Sequence, residues 1–192
     1  GNPVLGATSR LVKAGSGMLT VAVSNEFTGG TVISNGTVAV ATAGALGTGA
    51  ATLDGGRLAG AGVSNTMANA VAVNNAASVI DDGGGSLTLT GLLGGPGGIV
   101  KTGPGLVNLH PASPNGYVGG TVVNEGTLRL GFANTTLNIG TLQGELTIQT
   151  GAVVQAAIEK AIGFAAAASG NVTVVRINEG LLDFTGINGL GG

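Results

Sequence analysis

The stretch SRLVKAGSGMLTVAVSNEFTGGTVISNGTVAV, residues Ser9 to Val40, returns as GGIVKTGPGLVNLHPASPNGYVGGTVVNEGTLRL at Gly97 to Leu130. Lys13, Gly15 and Gly17 map onto Lys101, Gly103 and Gly105, each 88 positions on. Two extra residues before Tyr117 widen the offset to 90, so Phe27 maps to Tyr117, Gly29-Gly30-Thr31 to Gly119-Gly120-Thr121, and Gly36-Thr37 to Gly126-Thr127. An insertion confined to a loop, with glycine and apolar positions held in register around it, is what stacked structural units produce. The chain is a repeat array, with units over approximately residues 1–97 and 98–192.

Composition narrows the fold and the chemistry. Glycine supplies 39 of 192 residues and aromatics only 3%, while the 43% hydrophobic set is mostly Ala, Val, Leu and Ile. Such side chains fill a thin core between closely stacked strands more readily than a thick globular one. Cysteine is absent, which removes disulfide scaffolds, thiol catalysis and cysteine metal sites. With 7 basic and 9 acidic residues there is no basic stripe to neutralise phosphates, so nucleic acid is not an expected partner. Apolar runs are broken well short of the roughly 18 to 20 residues of a membrane-spanning helix. Gly1 is neither an initiator Met nor the start of a signal-peptide pattern, and the chain is expected to be part of something longer.

Twelve strand-sized runs stand between glycine and asparagine punctuation: Met18 to Val23, Gly30 to Ile33, Thr37 to Val40, Ala51 to Leu53, Ala70 to Val73, Ser86 to Thr90, Ile99 to Lys101, Leu106 to Leu109, Thr121 to Val123, Thr127 to Leu130, Leu146 to Gln149 and Val172 to Ile177. Turn residues such as Asn35-Gly36, Asp54-Gly55-Gly56 and Glu125-Gly126 separate them. An antiparallel sandwich and a parallel β-helix both use many short strands. The long repeat with its loop-only insertion favours a parallel β-helix of about 20 to 24 residues per rung, continuous over residues 1–192. Residues 153–168 (VVQAAIEKAIGFAAAA) fit either one short helix or two strands split at Gly163. Period-two alternation is expected to point Leu19, Val21, Val32, Val38, Val40, Leu106, Leu109, Val122, Leu128 and Leu130 inward, and Lys13, Lys101, Glu125 and Arg129 outward.

The doubled segment resembles the autotransporter-associated β-strand repeat of secreted, outer-membrane-anchored passenger proteins. The family pattern, G-G-L-x-K-x-G-x-G-x-L-x-L, a loop, then Y-x-G-G-T-x-V-x-x-G-T-L-x-L-G and A-L-G-x-G, is met almost throughout by Gly97 to Gly131. The first copy has Ser9-Arg10 where paired glycines are expected and Phe27 for Tyr, and adds Ala45-Leu46-Gly47-Thr48-Gly49. The likeness covers about two thirds of the chain and is weak over Phe132 to Asp183. It implies an all-β, right-handed parallel β-helix, export across the inner and outer membranes, and an extracellular or cell-surface location. It further implies a stalk or spacer holding a functional tip away from the cell.

The candidates for chemistry have structural readings beside them. His110 is the only histidine and opens the inserted loop, with no second His or Cys to share a metal. Asp81 and Asp82 precede three glycines and could bind Ca²⁺, but they lack the alternating spacing of a calcium loop, and an Asp-Gly turn accounts for them. No catalytic residue, cofactor or established metal site is expected, and the repeat motif itself (Lys13, Gly15, Gly17, Gly29, Gly30, Thr31, Gly36, Thr37 and their second-copy equivalents) is structural. The expected function is a non-catalytic spacer in an adhesin or filament. A carbohydrate- or receptor-binding adhesin module is the alternative, and a polysaccharide-degrading enzyme would need converging carboxylates that nine scattered acids do not suggest. End-to-end stacking, with neighbouring repeats or with copies of the chain, is the expected association, because an open β-helix end exposes a rung of unpaired backbone groups.

Overall fold

The computed structural model describes residues 6–131, 133–134, 139–158, 161–162 and 172–185. The chain winds through three sheets, A, B and C, in that order, with strands in all three on turns three to six. The first turn supplies β1 (Leu11–Lys13) and β2 (Met18–Val21), the second β3 (Thr31–Ile33) and β4 (Thr37–Val40), and the third β5 (Ala51–Leu53), β6 (Arg57–Gly60) and β7 (Ser64–Met67). Then follow β8 (Val71–Val73), β9 (Ser78–Asp81) and β10 (Ser86–Leu89), and next β11 (Leu93–Gly95), β12 (Ile99–Thr102) and β13 (Leu106–Leu109). The sixth turn is β14 (Gly116–Tyr117), β15 (Thr121–Val123) and β16 (Thr127–Leu130). After a small antiparallel pair, β17 (Ala133–Asn134) and β18 (Ile139–Gly140), come β19 (Gly144–Ile148) and β20 (Val153–Ala156), then β21 (Val172–Ile177) and β22 (Leu181–Asp183).

Sheet A orders β1-β3-β5-β8-β11-β14, sheet B orders β2-β4-β6-β9-β12-β15-β19-β21, and sheet C orders β7-β10-β13-β16-β20-β22. Every pairing within these three sheets is parallel. The fold is a parallel β-helix. Neighbouring strands sit one turn apart in sequence, as where Thr31 pairs with Ala51 and Ala51 with Val71. The turn lengthens toward the C-terminus, where Leu146 pairs with Val175. No helix occurs among the described residues, and Val153–Ala156 of the ambiguous segment is strand; Glu159-Lys160 and residues 163–168 lie outside them.

Because strand side chains alternate between faces, each turn sends one set inward to stack on the same set of the next turn. Val38, Leu58 and Ile80 form such a stack in sheet B, and Leu87, Val107, Leu128 and Val154 in sheet C, all essentially sealed from solvent. Val38, Val40, Leu109, Leu128 and Leu130 point inward as expected, and Glu125 and Arg129 are exposed. Leu19 and Val21 lie on inward stacks but are half-exposed, since β2 pairs only with β4. Three assignments are corrected. Val32 and Val122 are the outward middle residues of strands that bury Thr31 with Ile33, and Thr121 with Val123. Leu106 faces outward because it is three residues from the buried Leu109, an odd spacing that puts the two on opposite faces, and Val107 points in instead.

The lysine corners as candidate functional site

Lys101 overturns the expectation of a solvated lysine. It stands in an otherwise aliphatic inward stack, Leu19, Val38, Leu58, Ile80, Lys101, Val123, Ile148 and Ile177, one residue from each strand of sheet B. It is 1% exposed. Its methylene stem extends the apolar stack while its ammonium reaches the corner where sheet B turns into sheet C. There Nζ donates to Thr102 O at 2.8 Å, Gly103 O at 2.6 Å and Glu125 O at 3.1 Å. It also donates to Asp82 Oδ1 at 2.9 Å, an acid of the preceding turn that is itself fully buried. Carbonyls aimed inward by two successive corners, with one carboxylate beneath, solvate the charge that burial would otherwise penalise. The outward assignment assumed that no such partner was available.

Lys13 repeats the cage in the first unit. Its Nζ donates to Ala14 O at 3.1 Å, Gly15 O at 2.5 Å and Asn35 O at 3.2 Å, positions equivalent to Thr102, Gly103 and Glu125. Lys13 is 9% exposed, so the outward assignment fails here too. The backbone bonds also correspond: Ser34 N to Lys13 O (2.9 Å) and Asn124 N to Lys101 O (3.0 Å), Thr37 N to Gly17 O (3.1 Å) and Thr127 N to Gly105 O (2.9 Å). Gly29 and Gly119 each donate to the preceding turn, to Ser9 O and Gly97 O, and Gly30 and Gly120 each accept from it, from Leu11 N and Ile99 N. Gly36 and Gly126 close the upper corners with φ of 65° and 61°. A Cβ on Gly36 would lie 2.4 Å from the carbonyl oxygens of Gly15 and Gly17, and one on Gly126 would lie 2.5 Å from those of Gly103 and Gly105. The repeat is therefore a two-storey corner: a Lys-x-Gly-x-Gly bend with an Asn-Gly or Glu-Gly bend seated on it.

The two copies occupy different corners. The first bend joins β1 of sheet A to β2 of sheet B, whereas the second joins β12 of sheet B to β13 of sheet C. The repeat distance thus takes the motif through four turns and one face further round.

Two differences separate the copies. Tyr117 Oη and Thr121 Oγ1 share a buried hydrogen bond of 2.7 Å. In the first copy Phe27 brings no hydroxyl, and the equivalent Thr31 Oγ1 is buried without a partner. Burial pushes the Tyr117 phenol well above its ordinary value, an effect the bond to Thr121 only partly offsets. The second difference is the acid pair. Asp82 accepts from Lys101 and from Gly84 N, while Asp81 accepts from Arg57, from Thr102 Oγ1 at 2.7 Å and from Gly83 N at 2.6 Å. Burial pushes the Asp82 carboxyl up, but the hydrogen bonds from Lys101 and Gly84, the Lys101 charge and the Gly105 N–H outweigh it and hold the carboxyl below its ordinary range. No acid precedes Glu26 in the sequence, and among the described residues Lys13 has no carboxylate partner.

The Asp81-Asp82 pair considered for Ca²⁺ thus stands at the B–C corner with its oxygens engaged by cations and N–H groups. Among the described residues no three His, Asp or Glu side chains come together as metal ligands. His110 is exposed on the corner after β13, beside Gly131, and lines a shallow cleft with Thr88, Asn108 and Arg129. Arg57 and Thr102, which tie Asp81 to neighbouring turns, were not singled out from the sequence. The signal that could have found the Lys101 partner is spacing, since Asp82 lies 19 residues, one turn, ahead of it.

A chain so built is a parallel β-helical repeat protein. The family of passenger-associated-transport repeats matches it over residues 11–40 and 99–130, the segments that form the two lysine corners. The chain is also 39% identical over 135 residues to the adhesin BmaC autotransporter of Brucella suis biovar 1 (strain 1330), an alignment covering 69% of this chain and 4% of that protein. No solved structure matches it. The chain thus carries two passenger-associated-transport repeats, and it spans only a small fraction of the relative's length.

Proposed function

We propose that the chain is a non-catalytic spacer: one continuous β-helical segment in the passenger of an adhesin displayed at the bacterial surface or released from it. One observation carries this reading. The ionisable groups that the repeat brings together, Lys101 with Asp82 and Arg57 with Asp81, bind each other and the turn backbone across successive rungs. Lys101 and Asp82, held in this way and sealed from solvent, stiffen a stack and are not presented to a substrate. The family match and the adhesin relative support a surface-displayed or exported setting. The test is to display passengers carrying one, two or three tandem copies of the segment beneath a reporter tip and to measure tip height. Height should rise in equal steps, at about 4.8 Å per turn. A spacer also leaves tip binding unchanged, and adhesion that follows the segment itself, without any tip, would overturn the reading.

A second reading, a ligand-contacting module, draws on the cleft at His110 and Arg129, where Asn108 Oδ1 is buried without a hydrogen bond. It requires the isolated chain to bind glycans or host cells and His110→Ala with Arg129→Ala to abolish that binding.

A further inference from the structure

We propose that the first lysine corner carries a self-modifying site: in the folded chain the Gly36 nitrogen closes on the Asn35 side chain, and the asparagine converts to aspartate and isoaspartate. The inference is independent of the spacer reading, and the failure of either leaves the other standing.

The corner assembles the parts of this reaction. Asn35 is exposed, and its Oδ1 accepts from Gly36 N at 2.7 Å. That contact folds the side chain over the peptide nitrogen that follows it, which sets Cγ close to its nucleophile. Gly36 N–H donates to no backbone carbonyl among the described residues, so no ladder bond holds its proton. Glycine also puts no Cβ beside the nitrogen that must approach. The nucleophile is the deprotonated amide, whose charge is shared with the Asn35 carbonyl oxygen. Lys13 Nζ donates to that oxygen at 3.2 Å, and a Cβ on Gly36 would lie 2.5 Å from the same Nζ. A positive group placed there lowers the cost of the developing negative charge. The Asn35 amide nitrogen has no protein partner among the described residues and leaves into solvent.

The step balances with water as the only co-reactant. Solvent base removes the Gly36 proton, a bond forms from Gly36 N to Asn35 Cγ, the Cγ–Nδ2 bond breaks, and ammonia departs with a proton returned by solvent. Water then adds to either carbonyl of the cyclic imide, and cleavage of that carbonyl's bond to Gly36 N leaves a carboxylate. Opening at the side-chain carbonyl gives aspartate and keeps the path of the main chain. Position 35 is the equivalent of Glu125, where the second copy already presents a carboxylate to solvent. Opening at the main-chain carbonyl gives isoaspartate and adds a methylene to a bend with no space for one, since Gly36 packs against Gly15 O and Gly17 O.

A second pair of the same sequence, Asn115-Gly116, serves as a control within the chain. Asn115 is 1% exposed, its Oδ1 accepts from Leu93 N at 2.9 Å, and its Nδ2 donates to Thr141 O at 2.8 Å. Both ends of that amide are held by neighbouring turns and cannot fold onto Gly116 N. A third pair, Asn188-Gly189, lies outside the described residues.

The test is to incubate the folded chain in warm, mildly alkaline buffer beside the same chain unfolded in urea, and to map peptides for mass and isoaspartate. In the folded chain Asn35 should convert, its peptide gaining the difference in mass between water and ammonia, while Asn115 stays an amide. In urea both should convert. Asn35→Gln, whose longer side chain closes the ring far less readily, should hold the mass of that peptide constant in the folded chain. The isoaspartate fraction should unfold at a lower urea midpoint than the unmodified chain. An Asn35 that survives in the folded chain while converting in urea, or equal conversion of Asn35 and Asn115 in the folded chain, would overturn the proposal.

Discussion

The Lys101 ammonium lies 2.9 Å from Asp82 Oδ1, with the two side chains 1% and 0% exposed. One residue therefore joins three turns, its own through Thr102 O and Gly103 O, the one before through Asp82, and the one after through Glu125 O. Backbone hydrogen bonds join neighbouring strands, but where the chain bends between sheets the carbonyls diverge from the ladder. A lysine at that point gathers several of them at once. The same residue in the first unit gathers the same carbonyls without the acid.

Acid should weaken the fold partly through Asp82. Its carboxyl titrates lower in the folded chain than the roughly 3.9 of an unfolded aspartate, so its contribution is full above that value and fades as pH falls through the folded one. Urea midpoints measured from pH 6 down to pH 2.5 should fall in the acid range, with a shallower fall for Asp82→Asn. An identical acid profile for the variant would remove Asp82 from the account.

Tyr117 should govern the alkaline limit. Its phenol is pushed up by burial, so an unfolded chain releases that proton near pH 10 while the folded chain retains it. Stability should therefore decline above about pH 10, by about 1.4 kcal/mol per pH unit for this one group. Tyr117→Phe should remove that slope, and at neutral pH should cost about 1 to 3 kcal/mol by leaving Thr121 Oγ1 unpaired.

The reverse change should help the first unit. Phe27→Tyr places a hydroxyl at the position equivalent to Tyr117, where Thr31 Oγ1 has no partner. A gain of about 0.5 to 1.5 kcal/mol in thermal or urea unfolding is expected. A loss would mean that the Phe27 pocket cannot admit the added oxygen.

Glycines of the motif should differ in tolerance according to what lies against them. Gly126→Ala puts a methyl 2.5 Å from two carbonyl oxygens and holds alanine at a φ of 61°, which should destabilise by at least about 1 to 3 kcal/mol. Gly17→Ala in the monomer meets nothing within 4 Å and should stay within about 0.5 kcal/mol. Equal effects in urea titrations would contradict the two-storey corner.

Much of this fold was legible because the repeat records it twice. All twelve runs read as strands lie on strands, among them Thr37–Val40 and Leu106–Leu109, where β-branched or alternating residues sit between glycine turns. Strands β1, β6, β7, β9, β11, β14, β17, β18 and β22 were missed; of these β6 and β7, Arg57–Gly60 and Ser64–Met67, lack the β-branched run that marks a strand, and their pairing with β4 and β10 holds them extended. The motif residues were found, but the place of Lys13 and Lys101 was not. Charge alone argues for solvent, and only the bend that aims several carbonyls at one point reverses that argument. The rotation of the second unit by one face was also hidden, because it depends on how many residues each intervening turn uses.

The most direct test of the claim that a buried lysine ties successive turns together is a double-mutant cycle in urea unfolding on Lys101→Met and Asp82→Asn. Each single change should cost about 3 to 5 kcal/mol, the penalty for breaking a buried pair. The double variant should cost less than their sum by about 2 kcal/mol, since the second change removes a group already stranded. Effects that add within about 0.5 kcal/mol, as for a pair in solvent, would contradict it.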